Sequence, residues 1–226
     1  MMNRTATGKR AALLALVICA AIFLSGGKPK LVGEAKAKEA GLAFINNVFD
    51  VKETEATVTL QTQAGATYTN GDYQQTGDEQ PIYYYVVATP KDANGLSDYT
   101  ALVNAETGIA YSAEQSYSHV PKMTAAQREK WSKAYANGDS LKIDYMSMDV
   151  DCMDFAREWI PQTFDLNARI LGFVDSGSSF DQDGAGTNFY VVIRDGTIYH
   201  ITMAWPQLTV FEVTILNQTR PTGELP

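Results

Sequence analysis

Few side chains in this 226-residue chain have the chemistry of catalysis. There are two histidines, His119 and His200, and beyond residue 27 a single cysteine, Cys152. His200 falls in a β-rich run, where the expected hairpin sets it opposite Val191, and a sheet histidine is favoured there over a general base. His119 precedes Val120 and Pro121 in a connector. No G-x-S-x-G, H-E-x-x-H or Cys-His signature is present. Paired carboxylates for glycoside chemistry are defined by their separation in the fold, which the sequence does not set. The best cation-binding run is Asp175, Asp181 and Asp183 beside Gly184 and Gly186. It departs from the EF-hand loop, with Ala185 at the fifth position and Val192 where a bidentate Glu is needed. A solvated strand connector is the favoured reading, so no catalytic residue, cofactor or metal ligand is assigned. Nor does a Gly-rich loop follow a strand and open a helix, which leaves nucleotide binding without support.

The tyrosines are the remaining unusual residues. Tyr83, Tyr84 and Tyr85, with Tyr111, Tyr117, Tyr190 and Tyr199, occupy β-rich segments. Sheet propensity explains most of them, but tyrosine also offers recognition surfaces a large ring and a hydroxyl at low rotamer cost. Candidate partner-binding residues are Tyr83, Tyr85, Tyr190 and Tyr199.

The elements that position these residues follow from periodicity. Cys152, Phe155, Ala156, Trp159 and Ile160 form one stripe of a helix, with Asp149 or Asp151 as its N-cap and Pro161 ending or kinking it. Cys152 then reads as a small buried hydrophobe rather than a reactive thiol. An equivalent stripe, Ala37, Ala40, Gly41, Phe44 and Ile45, lies 115 positions earlier, with Glu34 spaced to pair with Lys38. The two copies continue alike, Phe49-Asp50-Val51 matching Phe164-Asp165-Leu166. After each helix the period becomes 2. Strands are expected at residues 54–63, around Tyr68 and Tyr73 with an Asn70-Gly71 turn, and at 82–89, 99–104 and 109–112. A second set is expected at 170–174, 188–194, 197–203 and 210–215. A two-residue turn at Asp195-Gly196 would pair Val192 with Tyr199 and Tyr190 with Ile201 on one face, and Val191 with His200 on the other. Both faces of that hairpin are substantially apolar, so the face not under a helix should meet the companion unit, a second copy or a partner. Residues 124–136 form a connecting helix capped by Thr124. The expected fold class is therefore α+β: two repeated units, each one helix packed on an antiparallel meander. The organisation is residues 1–27 leader, 28–116 first unit, 117–144 connector and 145–226 second unit.

Charge adds an address. The chain carries 18 basic and 26 acidic residues, a net charge of −8. Residues 1–27 hold Arg4, Lys9 and Arg10 and no acidic residue, so the body has fifteen basic residues against 26 acidic, a net −11. Residues 11–24 are an unbroken apolar run, followed by Ser25-Gly26-Gly27, the pattern of a signal peptide. Fourteen apolar residues fall short of the roughly 17–25 of a membrane span, and the small residues after them leave a retained anchor as the alternative. Cys19 has Leu16-Val17-Ile18 before it and lacks the small residue that should precede a lipidated cysteine. A body this acidic argues against nucleic acid and anionic lipid as partners. One body cysteine excludes an intramolecular disulfide.

Residues 31–116 resemble the PepSY domain family: a helix of the form A-x-x-A-x-x-x-(F/W)-I, strands rich in Tyr and Val, and a closing D-A-x-T-G-x-(V/I) signature. That signature here is Val103-Asn104-Ala105-Glu106-Thr107-Gly108-Ile109, with Asn where the family has Asp. Asn makes the same side-chain-capped turn, and Gly108 supplies the free φ. The second unit is a looser match, with Asp195-Gly196 in place of the longer turn. The resemblance implies a non-catalytic binding or inhibitory module of the bacterial cell envelope, exported or membrane-anchored, whose partner is an extracytoplasmic protein such as a peptidase. It implies no catalytic residues. Membrane contact would run only through the N-terminal segment, and a homodimer is compatible. The alternatives are a sensor domain for a small molecule or wall fragment and, less favoured, a hydrolase.

Overall fold

A computed structural model of the chain describes residues 30–69, 72–90, 98–134, 145–164, 169–181 and 184–216. Helix α1 spans Glu34–Phe49, α2 Ala125–Ala134 and α3 Tyr145–Phe164. The strands are β1 Thr57–Thr69, β2 Asp72–Ala88, β3 Tyr99–Asn104, β4 Ala110–Gln115, β5 Ile170–Asp181, β6 Gly184–Ile193, β7 Ile198–Trp205 and β8 Thr209–Ile215. All eight pair antiparallel in one sheet, in the order β1-β2-β3-β4-β8-β7-β6-β5.

That sheet overturns the expected fold class. The chain does not build two repeated helix-on-meander units. It builds one eight-stranded antiparallel sheet, mostly strand by composition, with three α-helices among the described residues. The joint is the pairing of β4 with β8, where Ser112, Ala113 and Glu114 face Thr214, Val213 and Glu212. The core crosses this joint too: Val48 of α1 and Tyr111 and Ala113 of β4 pack in one cluster with Met148, Phe189, Ile201 and Trp205. Neither half could keep β4 or β8 unpaired without exposing a full row of backbone donors and acceptors.

The register defines two faces, because directly paired residues share a side. One row runs Val58, Val86, Ala101, Ala113, Val213, Ile201, Phe189 across seven strands. From Val86 to Phe189 every member is at most 1% exposed. All three helices cover this side. In α1 the buried stripe is Ala37, Gly41, Ile45 and Val48, and Gly41 is there because a Cβ would come within 2.7 Å of Val86. In α3 Met148, Cys152, Ala156 and Ile160 are buried, and Phe155 and Trp159 of the expected stripe are half-buried against the same core. Asn47 of α1 donates to the Thr163 carbonyl of α3 and ties the two helices together.

Several local expectations change. Helix α3 starts at Tyr145, so Asp149 and Asp151 lie inside it and cap nothing. Asp151 instead accepts from the Trp205 indole (Nε1···Oδ2 2.7 Å) and pairs with Lys130 of α2. Lys130 also sits 5.4 Å above the Trp205 ring, and Trp131 meets that ring edge-on at 6.0 Å. Thus α2, α3 and β7 are held by one polar knot within aromatic packing. Pro161 lies inside α3, which continues to Phe164. Lys38 pairs with Glu55 rather than Glu34. The Thr124 cap is formed as expected, with Gln127 N donating to Thr124 Oγ1 and Thr124 N donating to Gln127 Oε1. So is the closing turn: Asn104 Oδ1 accepts from the amides of Glu106 and Thr107, and Gly108 has φ +73°. The Asn70-Gly71 turn and residues 1–27 lie outside the described residues.

Candidate functional site

The site follows from one turn. The β6–β7 hairpin closes over three residues, Arg194, Asp195 and Gly196, not two. Ile193 N donates to the Thr197 carbonyl at 2.9 Å, Gly196 N donates to the Ile193 carbonyl at 3.0 Å, and Gly196 takes φ +92°. Asp195 Oδ1 accepts from Thr197 N at 2.8 Å, which lowers the Asp195 pKa. The extra residue shifts the register by one, and a one-residue slip exchanges the faces of a strand. Val191 therefore pairs with Tyr199, Tyr190 with His200 and Phe189 with Ile201. The pairings expected from a two-residue turn are all replaced.

Of the four candidate tyrosines, three share the side away from the helices. Its central row is Thr59, Tyr85, Leu102, Ser112, Thr214, His200, Tyr190, Val174, each member paired with the next. Tyr83 precedes Tyr85 by two residues on the same strand, and both are half-buried, as is Tyr190. At about 4.8 Å per strand, Tyr85 and Tyr190 stand about 24 Å apart, so they are two flanks of a surface and not one pocket. Tyr199 is on the other side. It is 3% exposed, its ring lies 4.9 Å from Phe164, and burial, then the charge of Asp195, pushes its hydroxyl up to about 12. It is a core residue.

Between the flanks, the β4–β8 joint carries a polar centre that the sequence reading missed. Ser112 and Thr214 hydroxyls meet at 2.9 Å. Two pairs along, Glu114 directly faces Glu212, and Thr202 donates to Glu212 Oε2 at 3.2 Å. Desolvation, then the Glu212 charge, raises the Glu114 pKa. His200, expected opposite Val191, instead stacks toward Tyr190 at 4.9 Å on this open side. A usable signal did exist: the eight strands hold no Lys or Arg. Two glutamates at the centre of such a sheet are conspicuous once the strands are aligned.

Neither histidine meets a nucleophile and an acid in a catalytic arrangement among the described contacts. His119 stacks on Tyr99 at 4.4 Å, with Nδ1 3.4 Å from the hydroxyl. Glu114 and Glu212 are cross-strand neighbours pointing the same way, so they do not flank a scissile bond from two sides as glycoside hydrolysis requires. Cys152 is 1% exposed, and burial, then the nearby aspartates, raises its thiol to about 12. In the run from Asp175, residues up to Asp181 are strand residues paired with β6. Asp175 Oδ1 accepts from Gly177 N, and Asp183 lies outside the described residues. A separate surface pocket is lined by Tyr117, Val120, Pro121, Lys122, Met123, Arg128 and Gln207.

The fold and site together define a one-sided sheet protein: helices fill one face, and a tyrosine-flanked, acidic-centred face is left open by the described residues. No protein-family model matches the chain, and no curated protein matches it. Among solved structures, the Bacillus megaterium YpeB C-terminal domain overlaps it with a TM-score of 0.44 at 12% identity, over 88% of this chain and 70% of that one. At that overlap the likeness carries no argument about family or activity.

Proposed function

We propose that the chain is a non-catalytic binding module working outside the cytoplasm, and that it restrains or regulates an envelope polypeptide such as a peptidase. The observation that supports this most is the open sheet face. Antiparallel sheets usually cover one face and leave a polar one in water. Here the outer face carries half-buried Tyr83, Tyr85, Leu102 and Tyr190 around a polar centre, the mixture of aromatic anchors and hydrogen-bonding groups found at recognition surfaces. The basic leader at residues 1–27 supports export, and the signature at residues 103–109 supports the PepSY-like reading. No helix among the described residues is long and apolar enough to cross a membrane. The test is crosslinking in the native cell envelope: recovery of a polypeptide partner supports the reading, and a chain that stays alone refutes it.

The pocket beside Lys122 and Arg128 favours a second reading, a sensor domain for a small anionic ligand or wall fragment. A thermal-shift screen separates the two, since a sensor gains stability from a small ligand and a pure protein-binding module does not.

A further inference from the structure

We propose that the open face docks a polypeptide segment presenting a Lys or Arg, whose cationic head meets Glu114 and Glu212 at the β4–β8 joint while its apolar neighbours lie over Tyr85 on one side and Tyr190 on the other. The inference rests on the binding-module reading and supplies its partner's chemistry. Charge carries it. The joint places two carboxylates directly opposite one another on the open side, a pairing that is unfavourable in the free sheet. No strand supplies a Lys or Arg, so the sheet contains no cation of its own to neutralise them. An incoming ammonium or guanidinium relieves that repulsion.

The same charges argue against the other occupants. A second copy docked face to face over this joint would bring four carboxylates together, and an anionic membrane would meet only like charge. A small cation would use the centre alone, whereas the aromatic flanks lie on β2 and β6, about 24 Å apart, a span that suits a chain segment. Arginine fits best, because its planar fork can engage two carboxylate oxygens at once.

The test uses the full body with immobilised random nonapeptide pools whose central residue is fixed as Lys, Arg, Gln or Glu. Retention of the Lys and Arg pools should exceed that of the Gln pool by about five-fold or more at low salt, and the excess should vanish in the Glu114→Gln/Glu212→Gln variant. The Glu114→Lys/Glu212→Lys variant should prefer the Glu pool. Equal retention of all pools overturns the proposal, as does a basic preference that survives both variants. If envelope crosslinking finds a partner on the helix-covered side while the pools are retained equally, this proposal fails and the binding-module reading stands. If the pools discriminate and no envelope polypeptide is captured, the regulatory reading fails and the charge preference of the face stands.

Discussion

Asn104 shows how much one side chain can settle. It is 2% exposed, and its Oδ1 holds the amides of Glu106 and Thr107 while its own amide donates to the Ile109 carbonyl. Replacing it with Ala strands two donors in a tight turn and should cost about 1–2 kcal/mol in urea unfolding. Asn104→Asp keeps the acceptor and should cost less than half as much. This turn was legible because its chemistry is local: an acceptor side chain three residues before a Thr, then a Gly. Gly41 was read only as part of a helical stripe, since nothing local announces that Val86 lies against it. Gly41→Ala should cost about 1–3 kcal/mol through that overlap, less the gain in helix propensity. Adding Val86→Ala should make the double variant more stable than the two single costs predict, and a double-mutant cycle measures the difference.

At the scale of elements, helices and strands followed from their periods, but the hairpin register and the start of α3 did not. The Asp195-Gly196 pair signalled a turn correctly, yet whether two or three residues close it depends on the backbone bonds of Ile193 with Thr197 and Gly196. That single residue decided which tyrosines face outward. Asp151 looked like a cap because the apolar stripe was read from Cys152 onward, whereas helix α3 begins six residues upstream of Asp151. The β4–β8 pairing makes a pH-dependent prediction. Glu114 has a folded pKa above its ordinary value, so the folded state holds its proton more tightly than the unfolded state. The contribution to stability is present below the ordinary glutamate pKa and is lost as pH rises through the raised one. Glu212→Gln removes the like-charge neighbour. It should lower the Glu114 titration midpoint seen by NMR and raise stability at neutral pH by a few tenths of a kcal/mol, with little change in acid. An unchanged midpoint would mean that desolvation alone acts on Glu114.

For the whole molecule, the sequence showed two similar stretches and suggested two units, because a repeat carries no mark of how its copies join. The joint is made by residues about a hundred positions apart, Ser112 with Thr214, and such pairing has no local signature. One sheet with a core crossing that joint should unfold as one body. Trp131, Trp159 and Trp205 all belong to the later part of the chain, so their fluorescence reports that part while circular dichroism reports the whole. The two melting curves should coincide, and a fluorescence transition offset from the dichroism would indicate independent units. The most direct measurement of the central claim is site-specific photocrosslinking in the native cell envelope. A photoreactive residue would be placed at Leu102 or His200 on the open face, or at Arg157 on the outer side of α3. The account predicts that Leu102 and His200 capture another polypeptide and Arg157 does not. Capture from Arg157 alone would contradict it.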